Sequence, residues 1–432
     1  MTSATGTTAP GRRSFSEGGR VLTPADLRQA VRDALRLVPG GARVLAVIPD
    51  KTRDDNTDLL FPMMSQELKA RGASQFDALV AQGTHPAMTN AEKRAKIGAG
   101  LADMPLLGTV FDHHWDKPSE LMTLGTLSAA EVSSLSGGLM TQDVPVQLNA
   151  RLAPGMYDYI FVVGATVPHE VAGFAGGSKY FFPGVAGPEL THLTHWLGAL
   201  ATIERVIGRV DTPTRRVIEA AADRVTTPVI AFTSVATRRD SGLLTHALFT
   251  GGLRETVRQA AAVSSQVHVR YTGRRYRRVI ALLDEHYDEL WVGGKASYKL
   301  GGIIEDGGEL VIYAPHLKGI STTHGRMIEK YGYAPLEVVR EMVEGSDELR
   351  ANLCVAAHLA HVSYGSRVGT DGKIAPRYRI TLASGIAEDV CGRVKLGYQT
   401  LASVDLEAAR RDPDTLVVEH AGRDLYLVEA NP

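Results

Sequence analysis

Short, strongly apolar runs alternate along this chain with stretches of helical period. Val44–Ile48 is apolar throughout and stops in the polar stretch Asp50–Thr57, and FDALVA (Phe76–Ala81) and YIFVVGATV (Tyr159–Val167) repeat the form. Runs of this length bounded by turn residues predict strands buried on both faces. Between them, PADLRQAVRDALRLV (Pro24–Val38) and LLFPMMSQELKARG (Leu59–Gly72) space their apolar positions for helices, and TVRQAAAVSSQVHV (Thr256–Val269) closes this half with another. Such alternation predicts parallel βαβ units and an α/β fold. DELWVGG, GGELVIYAP and APLEVVREMV begin a second α/β set, and the final TLVVEHAGRDLYLVEA reads as a strand pair turning at Gly422.

At 432 residues the chain exceeds the usual size of one core, so two domains are expected. The boundaries predicted are a flexible lead-in over residues 1–20, an N-terminal domain over 21–270 and a C-terminal domain over 276–432, with the basic segment Arg270–Arg278 as the connection. A net charge of −1 offers no basic field for nucleic acid and no polybasic patch for a membrane surface. Cys354 and Cys391 are too few for a disulfide scaffold, which fits a reducing cytosol and a cytoplasmic protein. No apolar stretch approaches the ~20 residues that cross a bilayer, and MTSATGTTAPGRRSFSEGG lacks the apolar centre of a signal peptide.

Chemistry-bearing residues gather where the predicted strands end, the edge at which α/β sheets keep their sites. After the first strand come Asp50, Thr52 and Arg53; Arg53 offers a planar fork for a carboxylate or phosphate, and Asp50 and Thr52 suit ribose hydroxyls, phosphate oxygens or a helix-capping turn. After the next come Gly83, Thr84 and His85, and after the third comes His169 in PHEVAGFAGGSKYFFPGVAG. In that segment Gly173, Gly176 and Gly177 suggest a backbone cradle for an anionic group. Lys179 follows, able to pair with a phosphate or, when neutral, to attack a carbonyl or thiocarbonyl carbon. Downstream, PELTHLTHWLGAL puts His192 and His195 on one helix face. The spacing fits neither a P-loop nor G-x-G-x-x-G, which excludes the two standard nucleotide loops.

DKTR, GTHPAM, PHEVAGFAGGSK and the position of His195 together resemble the lactate racemase family of nickel-pincer-nucleotide-dependent 2-hydroxyacid racemases and epimerases, closely over residues 40–200 and more loosely beyond. The resemblance implies two α/β domains with mainly parallel sheets and the active site in the interdomain cleft. It implies a nickel-pincer nucleotide (pyridinium-3,5-bisthiocarboxylic acid mononucleotide nickel) covalently attached at Lys179, with His195 completing the nickel coordination and cofactor-biosynthesis proteins needed for loading. His85 and His169 would be the paired acid/base groups, Arg53 the clamp for the substrate carboxylate, and Asp50, Thr52, Gly173, Gly176, Gly177 and Ser178 the surround of the nucleotide. The family's Tyr-Gln, followed a few residues later by a substrate-touching Lys, is here Tyr298 then Lys299, the expected substrate contacts from the C-terminal domain. Gly301 and Gly302 leave room for a larger acid, and His113, His114, His316 and His324 add polar groups, so 2-epimerisation of a sugar acid (aldonate) is the alternative within the mechanism. From other classes, a zinc hydrolase built on His169, His192 and His195 and a non-catalytic phosphate-binding protein compete.

Overall fold

The computed structural model describes residues 13–15, 20–239, 242–370 and 372–429. They fall into two compact units: one takes the chain through Thr194 and Val210–Val267, the other His195–Arg209 and the chain from His268 onward. The division therefore lies at Val267/His268, and the second unit also claims His195–Arg209, a piece of chain with no sequence signal of its own. Of the expected flexible lead-in, Arg13–Phe15 forms a strand; most of the rest lies outside the described residues.

The first unit is built on a seven-stranded sheet of β1 (Arg13–Phe15), β2 (Arg43–Pro49), β3 (Gln75–Ala81), β4 (Leu107–Phe111), β5 (Tyr159–Ala165), β6 (Val229–Arg239) and β7 (Gly242–Gly251). Its order is β1-β7-β6-β5-β2-β3-β4. Strands β6, β5, β2, β3 and β4 run parallel, while β7 and β1 are antiparallel additions at one edge. Its helices include α1 (Pro24–Ala34), α2 (Thr57–Ala70), α3 (Asn90–Lys96), α5 (Pro213–Ala222) and α6 (Leu253–His268), and α4 (Pro188–Leu200) begins in it. Val44, Ala46 and Ile48 of β2 point to the face that carries Leu27 and Val31 of α1 and Leu60, Phe61 and Met64 of α2. Phe61, Phe76, Phe161 and Phe232 run across that face as successive ring contacts with centroids 4.4, 6.2 and 5.3 Å apart. The opposite face is covered too, which is why Leu45 and Val47 are fully buried and the run Val44–Ile48 is apolar at every position.

From β2 the chain steps to β3 and β4 on one side, then returns to place β5 and β6 on the other. The carboxyl ends of β2 and β5 thus flank a topological switch point, where open α/β sheets form their crevice.

The second unit holds a parallel five-stranded sheet of β8 (Tyr276–Leu282), β9 (Ile304–Ala314), β10 (Arg379–Ser384), β11 (Gly397–Tyr398) and β12 (Thr415–Val418), in the order β11-β10-β9-β8-β12. Helices α7 (Lys295–Leu300) and α8 (Leu353–Ser363) pack within it, and every residue of α8 after Leu353 is buried. Two expectations fail here. Leu425–Leu427 does not pair with β12 across Gly422; it pairs in parallel with Val269–Tyr271, while β12 joins β8. Nor is Arg270–Arg278 a connector, since it spans the end of that strand and the start of β8, with Arg270 bound to Asp424 at 2.9 Å. No helix among the described residues is long and apolar enough to cross a membrane.

Candidate active site

The polar loop after β2 is fixed from outside, residue by residue. Asp54 binds Arg238 at 2.6 Å, Asp55 binds Lys96 of α3 at 2.5 Å, and Asn56 donates to Thr245 at 2.7 Å. Lys96 also donates to the Arg53 carbonyl at 3.0 Å. With its neighbours tied down, half-buried Arg53 makes no side-chain hydrogen bond among the described residues, which suits it to receive an anion. Asp50 is turned inward. Its Oδ1 accepts from the amide and hydroxyl of Thr52 at 2.9 and 2.6 Å, and its Oδ2 meets Nδ1 of His85 at 2.6 Å. Burial by itself raises the pKa of Asp50, but the charge and hydrogen bond of His85, with Arg53 and Thr52, outweigh it and hold the carboxyl well below the usual range. An ionised carboxylate only accepts, so Nδ1 of His85 carries a proton, and in the neutral ring Nε2 is the acceptor. The sequence suggested that Asp50 and Thr52 reach for a nucleotide; in this geometry they hold each other and orient His85.

His85 stands on a turn closed by its own amide to Gln82 (3.0 Å), with Gly83 at φ +55°. The Gly83 amide donates to Gly184, whose amide donates to the Lys179 carbonyl, so the His85 turn is stitched to the Lys179 segment. Tyr180 extends the seam: its hydroxyl reaches the Ala165 carbonyl at 3.4 Å, in the space that a side chain on Gly164 would fill. The loops after β2, β3 and β5 and the Lys179 turn therefore converge at the switch point.

His169 lies in a two-residue antiparallel pairing, Pro168–His169 against Gly173–Phe174, and is 5% exposed. Its Nδ1 accepts the Val171 amide at 3.1 Å and lies 3.6 Å from the Glu170 carboxylate. A ring that accepts at Nδ1 is neutral with its proton on Nε2, the reverse of the His85 tautomer. From Val171 to Gly187 every residue is buried except Lys179, which is half-buried. The glycines here have a packing reason. A Cβ on Gly176 would lie 2.4 Å from Thr166 Oγ1, and one on Gly177 would lie 2.4 Å from Val257 Cγ2 and 2.9 Å from the Leu253 carbonyl. Beneath the loop, buried Arg215 donates to the carbonyls of Phe174 and Gly176, with its pKa pushed down to about 10 by burial. Arg215, Lys96 and Glu170 are the supporting residues that sequence reasoning missed; only the polar pattern around them hinted at buried partners.

His195, Tyr298 and Lys299 belong to the second unit. His195 is half-buried; burial above all, with His361, His324 and His195 nearby, holds the pKa of His358 well below the ordinary value. Tyr298 and Lys299 are buried, and the Tyr298 hydroxyl meets His358 Nδ1 at 2.7 Å. Gly301 and Gly302 make no room for substrate: a Cβ on Gly301 would overlap the Tyr364 ring at 2.4 Å, and one on Gly302 would press on the Tyr426 carbonyl at 3.3 Å. His113 is a core histidine, 1% exposed and bound to the Ala186 carbonyl at 2.9 Å. His114 meets Glu120, His316 meets the Tyr287 carbonyl, His192 packs edge-on to Trp115, and His324 lies over Trp291.

Comparison with known proteins bears on this arrangement. Residues 28–206 match the family model for the lactate racemase N-terminal domain. The chain is 27% identical over 161 residues to the lactate racemase of Thermoanaerobacterium thermosaccharolyticum, which covers 37% of this chain and 33%, about a third, of that protein's length. Among solved structures, a Thermotoga maritima protein superimposes with a TM-score of 0.87 at 31% identity, over 95% of this chain and 99% of its own. The lactate racemase apoprotein of T. thermosaccharolyticum shares the fold with a TM-score of 0.69 at 17% identity, over 93% of each chain.

Proposed function

Because this chain belongs to the lactate racemase family, we propose that it is an isomerase that inverts C2 of a 2-hydroxy acid with a nickel-pincer nucleotide joined to Lys179 and bound at nickel by His195. The observation that carries the reading is the opposed hydrogen bonding of His85 and His169. Inversion needs one group to serve the hydroxyl proton from each face of the substrate. His85 has its Nδ1 proton committed to Asp50, so its Nε2 takes the hydroxyl proton and the carboxylate balances the charge that arrives. His169 presents Nε2–H to the substrate oxygen; when its ring is charged, the nearby Glu170 carboxylate is the counter-charge for Nδ1. Arg53 holds the substrate carboxylate through its planar fork, and Tyr298 and Lys299 belong to the same proposal as contacts for the rest of the acid.

The residues present fit the cofactor. Lys179 is the one half-buried residue of an otherwise buried segment, and Thr166 Oγ1, beside Gly176, is a buried hydroxyl with no partner among the described residues. Among those residues no group of three or more His, Cys, Asp or Glu is gathered to hold a metal, so a metal here needs a bound group that brings its own donors. That observation also counts against a zinc hydrolase built on His169, His192 and His195. When bound, the nucleotide supplies an acceptor for the hydrogen on C2. The sugar-acid version of the reading loses its support, because Gly301, Gly302 and His113 are accounted for by packing.

The test is the intact mass of protein made together with the cofactor-producing enzymes. A mass adduct is expected on the wild type and not on Lys179→Ala; an adduct of the same mass on Lys179→Ala would contradict the attachment.

A further inference from the structure

A cavity of about 370 Å³ in the second unit uses none of the residues assigned to the reaction. Among the described residues its lining carries three cations, Arg367, Arg379 and Lys395, and no acidic residue. Arg379 shares its charge with Glu309 at 2.7 Å, outside the lining, whereas Arg367 and Lys395 have no ion-pair partner among the described residues. The stem of Lys395 lies over Gly332, whose absent side chain would sit 2.8 Å from its methylenes. The lining also includes Ser363, the last residue of α8, only 4% exposed, with an Oγ that has no hydrogen-bond partner among the described residues. The rings of Tyr333 and Tyr378 supply an apolar surface beside it.

Two features of this cavity are unmet among the described residues. The exposed Arg367 and Lys395 bring positive charge to it without a counter-charge, and the buried Ser363 hydroxyl lacks the partner that such groups almost always have. One occupant resolves both: an anion with several acceptor atoms, which pairs with Arg367 and Lys395 and takes the Ser363 hydroxyl as a donor. The volume is at the lower end for small-molecule pockets, which limits the occupant to a compact metabolite. We propose that this cavity binds a small organic anion carrying two or more negative charges. The shared chemistry is the multiple charge; carboxylates and phosphoryl groups both supply it. Tyr333, one wall of the cavity, also has its hydroxyl 3.2 Å from His358 Nε2, and Tyr298 meets the other nitrogen of that ring, so an occupant would press on the network around Tyr298.

Calorimetric titration of the full-length protein with citrate, and separately with pyrophosphate, tests this. Saturable binding of at least one is expected, weakened tenfold or more in the double variant Arg367→Ala/Lys395→Ala and severalfold in Ser363→Ala. The Ser363→Ala melting temperature should not fall, which separates a binding role from a structural one. Binding of citrate alone identifies a carboxylate site, and of pyrophosphate alone a phosphoryl site. Absence of saturable binding of either anion, or wild-type affinity in both variants, overturns the proposal.

Discussion

In the proposed site Asp50 accepts a hydrogen bond from His85 Nδ1 and so leaves Nε2 as the base, an arrangement that depends on charge as much as on shape. Asp50→Asn keeps the shape, but its amide can present a donor to Nδ1 and favour the wrong tautomer. The proton-transfer rate should then fall by on the order of 10²–10⁴-fold with KM little changed; an unchanged kcat would remove Asp50 from the account. His113 gives a prediction about stability instead. Burial pushes its pKa down to about 4 from the ordinary 6.5, so the folded protein keeps it neutral. Between those values the unfolded chain binds a proton that the folded chain does not, and stability falls as pH is lowered through the window, by up to about 3 kcal/mol. Melting temperature measured from pH 7 to 4.5 should drop less steeply for His113→Gln than for the wild type, and equal slopes would contradict the assignment. At this scale the sequence marked candidate residues but not their partners. Nothing in DKTR says that Asp50 faces His85, because that pairing exists only once β2 and β3 lie side by side.

Elements were most legible where the apolar run was long. Strands β2, β3 and β5 appear where Val44–Ile48, Phe76–Ala81 and Tyr159–Val167 predict them, because a strand buried on both faces has a pattern that few alternatives share. The C-terminal strands were misassigned for the complementary reason. Thr415–Val418 and Leu425–Leu427 look like a hairpin locally, yet each finds a parallel partner far away in sequence, which no local pattern encodes. Glycines misled in the same way, since a missing side chain reads alike whether it admits a ligand or a neighbouring helix. Gly177 has φ +58° and α6 against it, so Gly177→Ala should cost about 2–4 kcal/mol from strain and overpacking together. Denaturant midpoints would show it, and a wild-type midpoint would mean that the loop can draw back from Val257.

For the molecule as a whole, the two units account for the expected α/β class, and the first carries the switch-point loops that bear Arg53, His85, His169 and Lys179. The assignment of His195–Arg209 to the second unit was not legible, because α4 reads as one uninterrupted helix in sequence while its contacts divide. The central claim is that two histidines of opposite tautomer serve the two faces of a 2-hydroxy acid whose C2 hydrogen is held and returned. It is tested most directly by incubating cofactor-loaded protein in D₂O with single enantiomers of a panel of 2-hydroxy acids, followed by chiral chromatography and mass spectrometry. The account predicts inversion of at least one acid with its C2 hydrogen retained, and loss of inversion in both His85→Ala and His169→Ala. Inversion that brings solvent deuterium to C2, or that survives removal of either histidine, would contradict it.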